Sequence, residues 1–267
     1  MPEIQNGTVP LHYLEAGTGS ETVILSHSYL VDHRQFESQI ASLVEAGFRV
    51  LAYDHREHGR SGGTTSPYDL EDLVADGMAV LDQLCDGPVH WVGLSTGGFV
   101  GMRIAARHPE RIHRLVLMAT SAGRETGFKR LRYEGLLLVL RVAGFRPVLG
   151  QAMNSLFGKG FRRDPSRANE LALWTERVAA NDPMGLVRFG GAIFGRPDFV
   201  PSLGQISAPT LVLTGSEDDA TPVRNGQEIA AAVPNARFVS LPGAGHLSTV
   251  EQPEQTSRLI TAFLTQT

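Results

Sequence analysis

The chain has 267 residues, 42% of them hydrophobic and 19% charged, with a formal net charge of -4. That is an ordinary globular composition, long enough to bury one large core, and the acidic balance argues against nucleic acid as the main partner. No apolar run approaches 20 residues and no basic-then-apolar leader opens the chain, so neither a membrane span nor secretion is supported.

Ile4 to Ala16 alternates around an Asn6-Gly7 turn signal, which predicts an N-terminal hairpin at a sheet edge. Thr22-Val23-Ile24-Leu25-Ser26 is a β-branched apolar run of the kind covered on both faces, and it leads into His27-Ser28-Tyr29-Leu30. Phe36, Ile40, Leu43 and Val44 mark an amphipathic helix, and Arg49 to Asp54 a further strand. A polar loop from His55 to Pro67 precedes a helix through Leu70, Leu73, Val74, Met78 and Leu81. The single cysteine, Cys85, closes that apolar stretch, so burial is expected; with no internal disulfide available, a reducing cytoplasm fits best.

Val89 to Leu94 is an apolar run that stops at a serine between glycines, Gly93-Leu94-Ser95-Thr96-Gly97-Gly98, and resumes as a helix through Phe99, Val100, Met102, Ile104 and Ala105. A serine at so tight a strand-to-helix turn needs neighbours without side chains, and the turn aims helix N–H groups at a developing anion. Ser95 is therefore the candidate nucleophile. Gly59-Arg60-Ser61-Gly62-Gly63 fits the same pattern, but Thr64-Thr65-Ser66-Pro67 follows it, and Ser61 reads as a loop serine.

Ile112 to Met118 is the next strand, and the alternation so far predicts a mostly parallel, doubly wound sheet. From Ser121 to about Pro201 apolar residues recur at helical spacing, broken at Gly144, Pro147, Gly158, Pro165, Pro183, Gly195 and Pro197, which predicts a helical insertion. Residues 121–200 carry 13 Lys and Arg against 7 Asp and Glu, which reads as a solvated surface or as an attraction for an anionic substrate. Thr210 to Thr214 and Ala236 to Ser240 restore the strand rhythm. Leu259, Ile260, Phe263 and Leu264 close the chain on one helical face, with Pro253 in its first turn.

A serine hydroxyl needs a base, and the base an anionic orienter. Pro242-Gly243-Ala244-Gly245 delivers His246 from a strand end on a loop, where sheet sites open, making it the candidate base. Gly215-Ser216-Glu217-Asp218-Asp219 offers three acids after the strand ending at Thr214; Asp218 is the first choice and Asp219 the second.

The order Ser95, Asp218, His246 around this elbow resembles the α/β-hydrolase family across essentially the whole chain. Tyr53 to Ser61 is similar to that family's loop after its fourth strand, with Glu57 where glycine is usual. Ser28 stands where the family more often has glycine, and Leu25 to Leu30 with Gly245 to Pro253 is closest in feel to 3-oxoadipate enol-lactonase-like and carboxylesterase members. The resemblance implies an eight-stranded, mostly parallel sheet flanked by helices: a core of residues 1–121 and 202–267 and a helical cap of 122–201 inserted after the sixth strand. It also implies an oxyanion hole from the backbone N–H groups of Tyr29 and Thr96, with His27 holding the loop.

Ser-His-Asp hydrolysis of a carboxylic ester or lactone, with no metal or organic cofactor, is the implied activity on a small-molecule substrate, anionic if the basic insertion attracts it, in a monomer or homodimer. Leu30, Leu247, Phe157, Trp174 and Phe194 are the expected pocket residues, joined by Phe189, unless these aromatics pack the cap's own core. A cofactor-free haloperoxidase or perhydrolase uses the same triad, and a non-catalytic ligand-binding homologue is the other alternative. Haloalkane dehalogenases and epoxide hydrolases of this superfamily need an aspartate where Ser95 stands.

Overall fold

In the computed structural model, which describes residues 2–266, eight strands form one sheet in the order β1-β2-β4-β3-β5-β6-β7-β8. In chain order the elements are β1 (Glu3–Asn6), β2 (Val9–Ala16), β3 (Thr22–Ser26), α1 (Glu37–Glu45), β4 (Arg49–Tyr53), α2 (Leu70–Leu84), β5 (Val89–Leu94), α3 (Thr96–Arg107) and β6 (Ile112–Met118). Five helices then intervene: α4 (Gly127–Ala143), α5 (Arg146–Leu156), α6 (Lys159–Arg163), α7 (Ala168–Ala179) and α8 (Pro183–Phe194). β7 (Thr210–Gly215), α9 (Val223–Ala232), β8 (Ala236–Leu241), α10 (Ser248–Glu251) and α11 (Pro253–Leu264) complete the chain.

The β1–β2 hairpin pairs antiparallel with β4, and every pairing from β4 to β8 is parallel. Strand periodicity divides the core in two. Val23, Leu25, Val92, Leu94 and Val116 face one side with Leu43 and Phe263, whereas Ile24, Trp91, Leu115 and Leu117 face the other with Leu73, Val100 and Ile104. β3 lies between β4 and β5, so the chain reverses its direction of travel across the sheet there. The loops after β3 and β5 meet at that switch point, the place where open parallel sheets form sites.

Two expectations shift by small amounts. β4 ends at Tyr53, and Asp54 belongs to the following loop. Cys85 is half-buried, because it caps α2 beside an exposed turn rather than lying within the helix. Among the breaks expected between β6 and β7, Gly144 ends α4 at φ 74, whereas Pro147, Pro165 and Pro183 each sit in the first turn of a new helix or 3-10 turn, where a missing N–H costs nothing. Among the described residues, no helix is long and apolar enough to cross a membrane.

Candidate active site

Ser95 follows β5 at φ 54, ψ -105, a conformation L side chains rarely adopt. Packing forces the two glycines around it: a Cβ on Gly93 would collide with the Gly97 carbonyl, and one on Gly97 with the Ser26 carbonyl. The turn is pinned on both sides. Ser95 N donates to Met118 O at 2.8 Å, and Ser95 O accepts from Thr120 Oγ1 at 2.8 Å and from Gly98 N at 2.9 Å. The second Gly-x-Ser-x-Gly does other work, since Ser61 Oγ donates to Asp54 O at 2.6 Å and accepts from His12 N at 2.9 Å.

His246 follows β8 and lies 2.9 Å from Asp218 Oδ2 through Nδ1. Asp218 is buried and held by its own loop: Oδ1 accepts from the Ala220 and Thr221 amides at 2.9 Å each, and Oδ2 from Thr221 Oγ1 at 2.7 Å. An ionised carboxylate only accepts, so the proton belongs on Nδ1 and the Nε2 lone pair faces the cavity. The other two acids go elsewhere. Asp219 is exposed, and Glu217 accepts from Gly160 N at 3.1 Å.

Ser95 and His246 line one cavity, with no hydrogen bond between Ser95 Oγ and the imidazole; Nε2 instead meets Ser28 Oγ, at 3.5 Å. Around Tyr29 the neighbouring amides are committed, Ser28 N to Gln35 Oε1 and Leu30 N to His58 Nε2, each at 3.2 Å. The Tyr29 N–H between them has no partner among the described residues. Gly97 N donates to His27 O at 3.2 Å, tying this loop to the start of α3 at Thr96. His27 is fully employed in holding the loop. Its Nδ1 donates to Ser28 O at 2.7 Å, Nε2 accepts from His55 N at 2.8 Å, and burial lowers its pKa.

Behind His246, Glu251 is buried, accepting from Gly245 N at 3.0 Å and from Gly158 N at 2.9 Å. Burial outweighs those two bonds and raises its carboxyl to about 7. Glu57 keeps a left-handed turn, φ 65, with a side chain where glycine is usual. Its carboxylate is occupied, receiving Arg188 of α8 at 2.9 Å and Thr64 N at 3.1 Å.

The cavity wall corrects the expected pocket. Leu30 and Phe194 line it, but Phe157, Trp174 and Leu247 do not: all three are buried in the hydrophobic cluster, Phe157 stacked on Phe161 at 4.8 Å and Trp174 under Arg177. Phe189 stands behind the wall, stacked on Tyr29 at 5.7 Å, while Tyr29 OH donates to Leu186 O at 2.7 Å. The lining comes instead from Tyr133, Leu136, Leu137 and Leu140 of α4 and from Phe145 and Val148. Their spacing along α4 is a helical stripe readable in the sequence.

Two arginines reach the wall with different commitments. Arg196 is buried, pairs with Glu125 at 2.9 Å, donates to Ser121 Oγ at 2.8 Å and lies over the Phe99 ring at 4.1 Å. Arg132 is exposed at the rim, beside the Tyr133 ring, and forms no ion pair among the described residues.

Residues 21–253 match a family model described as alpha/beta hydrolase fold. A 2-hydroxy-6-oxononadienedioate/2-hydroxy-6-oxononatrienedioate hydrolase of Paraburkholderia xenovorans is 30% identical, over 97% of this chain and 92% of its own length. The 3-oxoadipate enol-lactonase 2 of Acinetobacter baylyi is 29% identical over 96% of this chain and 93% of its own. The crystal structure of the enol-lactonase from Burkholderia xenovorans superposes with a TM-score of 0.92 at 29% identity, covering 99% of this chain and all of that one.

Proposed function

Because the chain belongs to the α/β hydrolase fold family, we propose that it hydrolyses a small carboxylic ester or lactone through an acyl-enzyme, with Ser95 as nucleophile, His246 as general base and Asp218 as its orienter. The observation that carries this reading is the Asp218–His246 pair at 2.9 Å, whose imidazole lines the same cavity as the strained Ser95 turn. The Ser95–His246 hydrogen bond that the reaction needs is of a kind that often tightens only with substrate bound.

His246 Nε2 takes the hydroxyl proton as Ser95 Oγ attacks the carbonyl carbon. The Tyr29 and Thr96 amides receive the oxyanion as a preorganised pair of donors. Collapse breaks the C–O bond, and His246 gives its proton to the departing alkoxide. A water then repeats the sequence on the acyl-serine, and the acid leaves. Side chains and backbone supply all of this chemistry without a cofactor.

Residues 122–201 serve in this reading as the cap, and Arg132 at its rim as the attraction for a substrate carboxylate. Supporting it, both curated relatives act on compounds whose names are those of carboxylates. The dioate hydrolase relative favours one second reading, cleavage of a carbon–carbon bond by the same triad. A panel of esters, lactones and vinylogous diketones, assayed with wild type and Ser95→Ala, tests both, with a peroxide-dependent halogenation assay run in parallel. Turnover of none of them, or full activity in Ser95→Ala, overturns the proposal.

A further inference from the structure

At the opposite end of the strands, His90 on β5 is fully buried, and neither ring nitrogen has a hydrogen-bond partner among the described residues. A buried polar group without a partner forfeits its hydration for nothing, and such groups are rare enough to ask what answers them. Two side chains face it. His90 Nε2 is 3.8 Å from Glu21 Oε2, and His113 Nδ1 on β6 is 3.8 Å from Glu21 Oε1. The two imidazoles stack with centroids 4.9 Å apart. These gaps are too long for hydrogen bonds, yet the three ligand atoms all lie within 4.8 Å of one another.

We propose that Glu21, His90 and His113 form a surface binding site for a divalent transition metal of the zinc type, separate from the Ser95 cavity. Two imidazoles and a carboxylate are a donor set that zinc accepts, with bonds of ~2.0–2.2 Å and hence ~3.4 Å between ligand atoms. From within 4.8 Å of one another, the three atoms reach that spacing by closing ~1.4 Å or less. His90 is fixed by burial, whereas the side chains of Glu21 and His113 are about half exposed, at 55% and 51%, and supply the movement. Their exposure also leaves the fourth position open to water. Arg114, the nearby cation, is turned away, bonded to Gln266 O and lying over the Phe263 ring.

The fold explains why three separated residues converge here. Glu21 immediately precedes β3, and His90 and His113 each stand second in their strands, so parallel pairing brings the three strand beginnings side by side. By strand rise, His90 is ~16 Å along β5 from Ser95. The other His and Asp cluster, His12, His33 and Asp54, has already made its bonds: the rings lie 3.2 and 2.8 Å from the Asp54 carboxylate.

Zinc titrated into the full chain in competition with a chromogenic chelator tests the site. The expected result is one bound equivalent per chain, weakened by ~10-fold or more in both Glu21→Gln and His113→Ala. Both substitutions are at the surface, and unchanged circular dichroism checks the fold. His108→Ala, at the exposed His108–Glu110 contact, is the control and leaves binding unaltered. No binding by wild type, or equal binding by wild type and His113→Ala, overturns the proposal.

Discussion

His246 Nε2 lies 3.5 Å from Ser28 Oγ, on the residue just before the free Tyr29 amide. Two serines therefore line one cavity with this imidazole, and the backbone distinguishes them: only Ser95 stands at the strained turn heading α3. Ser95→Ala is expected to lower kcat on the order of 10⁶-fold. Ser28→Ala should cost less than the ~10²-fold typical of losing an oxyanion donor, because its backbone N–H groups remain. Initial rates on a p-nitrophenyl ester, with the mass of the fluorophosphonate adduct, check both. A Ser28→Ala enzyme as inactive as Ser95→Ala would refute the assignment.

Asp218→Asn is expected to lower kcat by ~10⁴-fold, since an amide in this position favours the wrong imidazole tautomer. Thr221→Val removes a hydroxyl that donates to Asp218 and lies 3.3 Å from His246 Nδ1, and is expected to cost ~10²-fold or less. Single-turnover rates for the two variants separate these outcomes, and equal losses would sink the orienting role of Asp218.

Arg132→Gln is expected to reduce kcat/KM for a carboxylate-bearing ester by up to ~5-fold, the range of an exposed ion pair, and to leave a neutral ester of similar size unchanged. In wild type the preference for the anionic ester should shrink as salt rises. A preference indifferent to both substitution and salt removes Arg132 from recognition.

The buried Glu251 carboxyl, raised from 4.5 to about 7, makes stability depend on pH. The folded chain keeps a proton that the unfolded chain releases above its own lower pKa. Folding therefore takes up a proton between about 4.5 and 7, and stability declines as pH rises through that window, levelling off above it. The decline attributable to this group is at most on the order of 3 kcal/mol. Calorimetry of wild type and Glu251→Gln across the window should show a flatter Tm profile in the variant. Parallel profiles would contradict the linkage.

The sheet was legible because β-branched runs such as Thr22–Ser26 and Val89–Leu94 are buried on both faces, and the turn at Ser95 because crowding admits only glycine on either side. His246 and Asp218 could be placed from loops that follow strands. The pocket wall was not legible in the same way. Helical spacing marks which residues are buried without saying whether the facing surface is core or cavity, so Trp174 and Phe157 looked equivalent to Phe194. The Arg196–Glu125 pair spans 71 positions in the chain and has no local signature. Nor does His90, whose unpartnered nitrogens depend on what neighbouring strands bring beside it.

The left-handed backbone at Ser95 sets durability against reactivity at one residue. An L side chain held there costs ~1–3 kcal/mol, which glycine escapes, less ~0.5–1 kcal/mol for the extra freedom glycine gives the unfolded chain. Ser95→Gly should therefore be inert toward esters yet melt ~2–4 °C higher than wild type; a lower Tm in calorimetry would show that no tension resides in the turn. Loss of the side chain would then confer heat resistance, and only selection for turnover would keep the chain in its less robust form.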